Sequence, residues 1–252
     1  MSTRDAFDMT DRVAIVTGGS RGLGREMALA FADHGADVVV ASRKLENCLA
    51  VAEEIRSRGR RALPIAYHAA SWSDAERLAD AAYAEFGHVD VLVNNAGMSP
   101  LYPSVDAISE DLYDKVMGVN LKGPFRLSAI IGTRMVAAGH GSIIMVSSTA
   151  ADQPSPNEVV YGAAKSGVQN LAHGLGVAFG PAVRVNCIQP GPFLTDISKA
   201  WDLERFAKQA KDTLMLQRGG EPHEIVGAAL YLASDAGSYT SGAVLRVNGG
   251  PR

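Results

Sequence analysis

The chain has 252 residues, of which 47% are hydrophobic and 20% are charged, so it is long enough to bury one large core. Its 24 basic and 27 acidic residues give a formal net charge of −3, which provides no attraction for nucleic acid or an acidic membrane surface. Two isolated cysteines, a polar N-terminus and the lack of a long apolar run predict a cytoplasmic protein without a metal site, a disulfide framework or a membrane span.

Short runs rich in Val and Ile alternate with longer segments of helical periodicity along the chain. The runs, which we predict to be strands, are 13–17, 37–41, 62–66, 90–94, 142–147, 183–188 and 243–247. The predicted helices are 22–33, 45–58, 74–86, 110–138, 159–178 and 222–234. Nearly unbroken apolar runs are typical of strands that are buried on both faces, and strand–helix alternation predicts an α/β fold with a parallel sheet.

The segment 193–217 interrupts this alternation, because it mixes apolar and charged residues without the pattern of a strand. Irregular or helical insertions of this kind commonly close over a binding site. We interpret the segment as a small substrate lid within a single domain that covers residues 1–252. Its apolar residues predict a wall that suits a carbonyl group on a hydrophobic or medium-sized molecule.

A glycine-rich turn, TGGSRGLG at 17–24, directly follows the first predicted strand and opens the first predicted helix. Glycines let backbone amides approach a ligand closely, and a helix start offers free N–H groups at the positive end of its dipole. This context predicts a site for the pyrophosphate of a dinucleotide. The residues expected to contact the dinucleotide here are Gly18, Ser20, Arg21, Gly22, Leu23 and Gly24.

The residues after the second strand bear on which dinucleotide is bound. In many dinucleotide-binding folds an acidic residue about 20 positions after the glycine turn holds the adenosine ribose hydroxyls. Here Ser42 stands at that position and Arg43 follows it, so no carboxylate repels a 2′-phosphate. Arg43 can pair with that phosphate, and Arg21 lies within reach, so we predict NADP(H) in preference to NAD(H). The alternative is that Arg43 only begins a solvated helix.

Tyr161 and Lys165 are four residues apart, and Ser148 lies thirteen residues before the tyrosine. Side chains four residues apart project from the same face of a helix. A lysine ammonium about 5 Å away, at an effective dielectric constant of about 20, would favour the phenolate by roughly 3 kcal/mol. The pair therefore predicts a general acid–base group, with a hydroxyl from Ser148 to hold a substrate oxygen. The alternative is an ordinary surface helix, because such pairs also arise by chance.

Several spaced motifs accompany these residues. They are TGGSRGLG at 17–24, NNAG at 94–97, GVNLKGPF around Asn120, YGAAK at 161–165, PGPFLT at 190–195 and VNGG at 247–250. With these motifs the chain resembles the short-chain dehydrogenase/reductase family, the compact single-domain type, over nearly its whole length. The resemblance implies a doubly wound, seven-stranded parallel sheet of the Rossmann type. It also implies an NAD(P)-dependent oxidoreductase that acts on CH–OH groups and forms a homotetramer or a homodimer.

The resemblance also implies roles for individual residues. Tyr161 would be the acid in reduction and the base in oxidation, Lys165 would lower the pKa of Tyr161 and hold the nicotinamide ribose, and Ser148 would orient the substrate oxygen. Asn120 would lie within a helix and hold a water molecule that relays protons. The other implied cofactor contacts are Asn94, Ala96 and Gly97 on the adenosine side, and Pro190, Gly191 and Thr195 at the nicotinamide end.

One position departs from the family's pattern. Many members carry an aspartate after the third strand, where it contacts the adenine amino group, whereas this chain has His68 and Ala69 there. The His68 imidazole is expected either to accept a hydrogen bond from adenine or pack against it, or to fill a half-exposed edge of the protein.

Taken together, the residues and the resemblance predict an enzyme that interconverts a secondary alcohol and a ketone by hydride transfer with a nicotinamide cofactor. The expected partner is a small carbonyl or alcohol substrate. A 3-oxoacyl thioester reductase and a polyol or sugar dehydrogenase are two narrower possibilities. A non-catalytic NADP-binding redox sensor is the alternative from another class, although a sensor has no use for the complete catalytic set.

Overall fold

The structure, a computed structural model, describes residues 5–153, 155–195, 198 and 202–252. Within these residues the chain forms a seven-stranded sheet in the order β3-β2-β1-β4-β5-β6-β7, and every neighbouring pair is parallel. The strands are β1 (Val13–Thr17), β2 (Asp37–Ser42), β3 (Ala62–Ala66), β4 (Val91–Asn94), β5 (Gly141–Val146), β6 (Val183–Pro190) and β7 (Val244–Val247). The predicted Rossmann-type α/β fold is confirmed.

Helices cover both faces of the sheet. They are α1 (Gly22–Asp33), α2 (Leu45–Ser57), α3 (Trp72–Phe86), α4 (Glu110–Met117), α5 (Gly123–Ala138), α6 (Val159–Phe179), α7 (Leu203–Thr213) and α8 (Val226–Ala233). One hydrophobic core contains buried residues of α1, α2 and α8, and the other contains buried residues of α3, α5 and α6. This two-sided packing explains why the strand sequences are almost continuously apolar.

Burial follows the position of each strand in the sheet. All residues of β1 and β4, at the centre, are buried, as the unbroken apolar runs predict. In β3, at one edge, only one of five residues is buried, and in β7, at the other edge, residues alternate between exposed and half-buried, so the prediction of burial on both faces is wrong for these two strands. The reason is topological, because β3 and β7 are edge strands, each with a neighbour on one side only.

The predicted helix 110–138 is interrupted. Between α4 and α5 the chain forms a π-helical turn, Gly118–Lys122, in which the N–H of Gly123 donates to the carbonyl of Gly118. The side chain of Asn120 causes the interruption, since its Nδ2 donates to the Val116 carbonyl oxygen at 2.9 Å, an acceptor that a regular α-helix gives to a backbone amide. Sequence periodicity does not detect such a side-chain insertion.

The C-terminal part also differs in detail from the prediction. The segment predicted as helix 222–234 begins as a 3₁₀ turn, Pro222–Ile225, before α8. Within the predicted lid, 193–217, the structure describes α7 and its flanking loops, while residues 196–197 and 199–201 lie outside the described residues. Among the described helices, none has the length and hydropathy required to cross a membrane.

Candidate active site

The predicted site residues follow strands β1 to β6 at the carboxyl edge of the sheet. The strand order reverses between β1 and β4, because β2 and β3 lie on one side of β1 and the later strands on the other. Ligands of open α/β sheets bind in the crevice at such a switch point. The fold therefore brings the glycine turn, the NNAG segment and the Ser148 segment to one crevice from distant parts of the sequence.

The glycine turn has the geometry of an anion-binding loop. Gly18 and Gly22 have φ angles of 66° and 52°, which side chains other than glycine rarely adopt. A Cβ atom on Gly24 would lie 2.3 Å from the Gly18 carbonyl oxygen, so the turn can close only around a glycine. Helix α1 begins here without a side-chain cap and without an acidic residue in its first turn. Its first N–H groups and the positive end of its dipole are thus left for a phosphate ligand.

Asn95, which the sequence analysis did not single out, holds this turn in place. Its Nδ2 donates to the Thr17 carbonyl oxygen at 3.0 Å and to the Gly18 carbonyl oxygen at 3.3 Å. The Thr17 hydroxyl in turn accepts hydrogen bonds from the backbone N–H groups of Asn95 and Ala96, both at 3.1 Å. The doubled asparagine of NNAG was the available signal, but only the pairing of β1 with β4 shows what the second asparagine contacts.

The remaining NNAG residues serve the sheet and the catalytic side. Asn94 is buried, and its Nδ2 donates to the Ser128 hydroxyl at 2.8 Å, so it links β4 to α5. Gly97 leaves little space for a side chain, because a Cβ atom there would lie 3.0 Å from Oδ1 of Asn120 and 3.5 Å from Nζ of Lys165. Gly97 thus faces Asn120 and Lys165, whereas the resemblance implies a position near the adenosine.

Two arginines flank the end of β2 and the glycine turn. The Ser20 hydroxyl donates to the Ser42 hydroxyl at 2.9 Å, which joins the turn to the end of β2. Arg21 and Arg43 are exposed, and within the described residues their guanidinium groups have no hydrogen-bond or ion-pair partner. Both cations therefore remain available to an anionic group of a ligand.

The loop after β3 presents His68 to solvent while Ala69 is buried. The backbone N–H of His68 donates to Oδ2 of Asp74 at 2.9 Å, which fixes the backbone and leaves the imidazole free to turn. The Ala69 carbonyl packs so closely against α5 that a Cβ atom on Gly123 would lie 1.9 Å from its oxygen.

Tyr161, Lys165 and Ser148 come together at the start of α6. The Lys165 side chain is only 3% exposed, and its Nζ donates to the Val146 carbonyl oxygen at 2.7 Å. Nζ lies 5.7 Å from the centre of the Tyr161 ring. The Ser148 hydroxyl lies close enough to the Tyr161 phenol to affect its pKa, while the hydroxyl of the adjacent Ser147 donates to the Lys165 carbonyl oxygen at 3.0 Å. A buried lysine of this kind is inconsistent with an ordinary surface helix.

The electrostatics of this group differ from the sequence-based expectation. Burial raises the pKa of Tyr161, and this effect exceeds the lowering caused by the hydrogen bond with Ser148, while the nearby Glu158 carboxylate raises it further. The net shift of the Tyr161 pKa is therefore upward, opposite to the lowering predicted from the sequence, because the loss of water around the phenol outweighs the favourable contributions. Burial also removes water from the Lys165 ammonium group and lowers the pKa of Lys165 to about 8.

Asn120 lies in the π-helical turn next to this group, within a helical segment as the resemblance implies. It is fully buried, and its Oδ1 accepts from the Met98 N–H at 3.1 Å while its Nδ2 donates to the Met98 carbonyl oxygen at 2.8 Å. These hydrogen bonds hold Asn120 beside Gly97 and Lys165. Asn120 therefore ties the loop after β4 to the helical layer.

The segment after β6 closes the other side of the crevice. Thr195 faces the glycine turn, since a Cβ atom on Gly22 would lie 3.6 Å from the Thr195 side chain. Gly191 packs against the C-terminal segment, where its Cβ would lie 2.7 Å from the Cα of Asn248. Pro190 is the last residue of β6, buried in the sheet. Thr195 and Gly22 thus lie close together although they are far apart in sequence.

A small apolar cavity adjoins Tyr161. It has a volume of about 10 Å³ and is lined by Pro100, Tyr102, Ile108, Leu112, Val116, Val160 and Tyr161. The Tyr102 hydroxyl donates to the Pro156 carbonyl oxygen at 2.9 Å and accepts from the Val159 N–H at 2.8 Å, so it connects the loop after β4 to the start of α6. Among the described residues, no group of three or more His, Cys, Asp or Glu side chains could hold a metal ion.

Comparisons with known proteins agree with this arrangement. A family model described as short chain dehydrogenase matches residues 12–205. The L-rhamnose 1-dehydrogenase (NAD(P)(+)) of Azotobacter vinelandii is 38% identical over 250 residues, which cover 96% of this chain and 97% of that protein.

Solved structures resemble the chain over its full length. A 7α-hydroxysteroid dehydrogenase complexed with NADH and 7-oxo glycochenodeoxycholic acid has a TM-score of 0.95 at 32% identity, covering 100% of this chain and 98% of that one. A 3-oxoacyl (acyl-carrier-protein) reductase from Agrobacterium tumefaciens C58 with NADP bound has a TM-score of 0.93 at 30% identity, covering 99% and 98%. The likeness therefore extends over nearly the whole chain.

Proposed function

The chain belongs to the short-chain dehydrogenase/reductase family, and we propose that it interconverts a secondary alcohol and a ketone, with Tyr161 as the proton donor and acceptor. The observation that carries this proposal is the buried Lys165 ammonium 5.7 Å from the centre of the Tyr161 ring, with the Ser148 hydroxyl also close to the phenol. Burial of an ammonium group costs folding free energy, and a tyrosine–lysine pair on an ordinary surface helix would not require it.

The side chains of Tyr161, Ser148 and Lys165 can bind, release and stabilise the transfer of the proton in this reaction. Because burial raises the pKa of Tyr161, the phenol stays protonated at neutral pH, which is the form that donates a proton when a ketone is reduced. The Ser148 hydroxyl holds the substrate oxygen beside the phenol, and the Lys165 ammonium favours the phenolate that forms on proton transfer. A bound nicotinamide dinucleotide would supply or accept the hydride.

The residues of the crevice fit such a dinucleotide. The positive φ angles of Gly18 and Gly22 and the uncapped start of α1 suit a pyrophosphate, and Asn95 supports the turn. Residues Lys165 and Thr195 would face the nicotinamide half, on the opposite side of the turn from Arg43. The two solved relatives carry different nucleotides, NADH and NADP, so the preference must come from residues of this chain.

We favour NADP(H) because Arg21 and Arg43 are exposed cations without partners among the described residues, and because Ser42 replaces the usual acidic group.

The double variant Ser42→Asp with Arg43→Leu is expected to weaken NADPH binding about 10- to 100-fold and to favour NADH, since a carboxylate now faces the 2′-phosphate. Fluorescence titration with both nucleotides measures this. As a matched control, Arg61→Leu removes an exposed arginine at the far end of β3 and should change neither affinity. Unchanged NADPH affinity in the double variant would show that Arg43 does not contact the phosphate.

For the substrate, we favour a ketone flanked by apolar groups. The side chains next to Tyr161 are mostly apolar, and the predicted lid contributes exposed Leu203, Met215 and Leu216. The cavity of about 10 Å³ beside Tyr161 is too small to hold a substrate itself, so the inferred preference rests on the character of these side chains. Such surfaces bind hydrophobic or medium-sized molecules better than highly polar sugars. Because a sugar dehydrogenase and a 3-oxoacyl (acyl-carrier-protein) reductase are among the similar proteins, sugars, polyols and 3-oxoacyl thioesters should also be tested as substrates.

The test of the function is a substrate panel run in both directions. Secondary alcohols, polyols, simple ketones and 3-oxoacyl thioesters are offered with each nucleotide, and the appearance or loss of reduced nicotinamide is followed by its fluorescence. We expect turnover of at least one class, with apolar ketones preferred and NADPH more effective than NADH. Tight NADPH binding without turnover of any class would instead favour the redox-sensor alternative. We also expect a homo-oligomer, a tetramer or a dimer, and mass measurement in solution tests the number of subunits. The expected location is the cytoplasm.

A further inference from the structure

A hydrogen-bonded network connects the last strand of the sheet to the Ser148 segment. Gln189, near the end of β6, is 1% exposed, and its Nε2 donates to the Ser148 carbonyl oxygen at 3.1 Å and to Oδ2 of Asp152 at 2.9 Å. Arg246, paired with Gln189 in the register of β6 and β7, donates from Nε to Oε1 of Gln189 at 3.0 Å. Arg246 also donates from Nη2 to Oδ2 of Asp152 at 2.9 Å. The proton chemistry described above uses none of these three side chains.

The partners determine how the Gln189 amide is oriented. Arg246 can only donate, so the amide oxygen must face it. The Ser148 carbonyl and the Asp152 carboxylate can only accept, so the amide nitrogen must face them. Both hydrogens of the nitrogen and the oxygen of the amide are thereby used. A buried amide that is fully satisfied in this way has one stable orientation, which makes it a rigid support.

The network acts on the residue that carries the hydroxyl. Ser148 has an extended backbone, with φ −162° and ψ 157°, and directly precedes the 3₁₀ turn Thr149–Ala151. Its hydroxyl accepts from the Ala150 N–H at 3.2 Å, which leaves the hydroxyl hydrogen for the Tyr161 phenol or a substrate oxygen. Because the carbonyl and the side chain belong to the same residue, holding the carbonyl also limits where the hydroxyl can point.

We propose that Gln189 is a positioning residue for Ser148, holding its carbonyl oxygen so that the hydroxyl faces the Tyr161 phenol, and that Arg246 orients the Gln189 amide for this task. The inference rests on the proposed function, because it concerns the reaction in which Ser148 holds the substrate oxygen. The Arg246 side chain is 65% exposed, so its ion pair with Asp152 adds little to stability by itself. The contribution of Arg246 is instead to fix the orientation of the Gln189 amide.

The first test compares two buried amides on the same strand. Gln189→Met keeps the length of the side chain and removes its hydrogen bonds, and we expect kcat to fall about 10- to 100-fold with the KM for NADPH changed by less than about twofold. Asn186→Leu is the matched control. Asn186 is also fully buried, but its amide donates to the Thr240 carbonyl oxygen at 2.7 Å and accepts from the Ala243 N–H at 3.0 Å, away from Ser148. At a temperature where both variants are folded, Asn186→Leu should keep the wild-type kcat.

Arg246→Met tests the second half of the proposal. The amide of Gln189 then loses the partner that sets its direction, although its nitrogen can still reach the Ser148 carbonyl. We expect a smaller loss of kcat, about 3- to 10-fold, in the same direction as for Gln189→Met. The double variant should be no worse than Gln189→Met alone, because both changes act through one contact. Losses that multiply in the double variant would show that Arg246 acts by another route.

The second readout needs neither nucleotide nor substrate. The ionisation of the Tyr161 phenol is followed by its ultraviolet absorbance, as the difference between each protein and the same protein carrying Tyr161→Phe. Since the hydrogen bond with Ser148 lowers the pKa of Tyr161, a misplaced hydroxyl should move the ionisation to higher pH in Gln189→Met but not in Asn186→Leu. A wild-type kcat in Gln189→Met, an unchanged ionisation, or equal losses in both variants would overturn the inference. If the wild type turned over no alcohol or ketone, the proposed function would fail, while the absorbance titration would still decide whether Gln189 positions Ser148.

Discussion

Replacing Tyr161 with phenylalanine is expected to lower kcat by a factor of about 10² to 10⁴, which is the usual contribution of a positioned general acid. The change removes one hydroxyl from a half-buried ring and leaves Lys165 and Ser148 in place. Nucleotide binding should change little, because the glycine turn and Asn95 lie at the other end of the crevice. Steady-state kinetics on the best substrate of the panel, with a nucleotide titration beside it, measures both quantities.

The matched control for this variant is Tyr231→Phe. Tyr231 lies on α8, and its hydroxyl bonds the Thr240 hydroxyl at 2.6 Å, so the change also removes one tyrosine hydrogen bond. It should leave kcat unaltered. If Tyr161→Phe kept most of the turnover on any accepted substrate, another group must supply the proton, and the proposed mechanism would be abandoned.

Replacing Lys165 with methionine is expected to lower the activity of the protein and to raise its stability. Activity should fall roughly 100-fold, because an ammonium group about 5 Å from a phenolate is worth roughly 3 kcal/mol at an effective dielectric constant of about 20. At pH 7 the variant should nevertheless be more stable than the wild type by about 1–3 kcal/mol, since methionine replaces a buried charge that has no carboxylate beside it among the residues that the structure describes. Kinetics and denaturant unfolding of the same two proteins test both statements.

The pH dependence follows from the pKa of Lys165, which burial lowers from 10.5 to about 8. Below pH 8 the lysine is charged in both the folded and the unfolded protein, so the folded protein bears the full penalty of burying the charge. Between about 8 and 10.5 the unfolded protein binds more protons than the folded one, so this group makes the free energy of unfolding rise with pH.

The stability advantage of Lys165→Met should therefore be largest at neutral pH and shrink as the pH approaches 10.5. Urea unfolding at several pH values, with wild type and variant side by side, measures the difference. Lys115→Met is the control, because Lys115 is exposed and pairs with Asp111 at the surface. Parallel stability curves for Lys165→Met and the wild type would contradict the assignment of a shifted pKa to Lys165.

The sequence by itself was sufficient for the fold class, and it named candidate site residues that the fold brings to one crevice. Apolar runs such as 13–17 and 91–94 are buried on both faces, so their composition alone predicts a parallel sheet, and the alternation with helices predicts the topology. The spacing of Tyr161 and Lys165 likewise places both side chains on one face of α6, because helix geometry is local.

Other features depend on contacts between residues far apart in the chain, which periodicity cannot report. The break in the predicted helix 110–138 arises where the Asn120 amide takes the Val116 carbonyl, and the role of Asn95 depends on the pairing of β4 with β1. The contact between Gln189 and Ser148 exists only because β6 lies beside β5 and β7.

The charge states of Tyr161 and Lys165 also depend on such tertiary contacts. From the sequence, a lysine near a tyrosine predicts a lower phenol pKa, because only their mutual attraction is visible there. The tertiary structure buries both groups, and the loss of water raises the pKa of Tyr161 and lowers that of Lys165. Sequence determined which groups meet at the carboxyl edge of the sheet, while packing decided how much water each of them retains and therefore how each holds its proton.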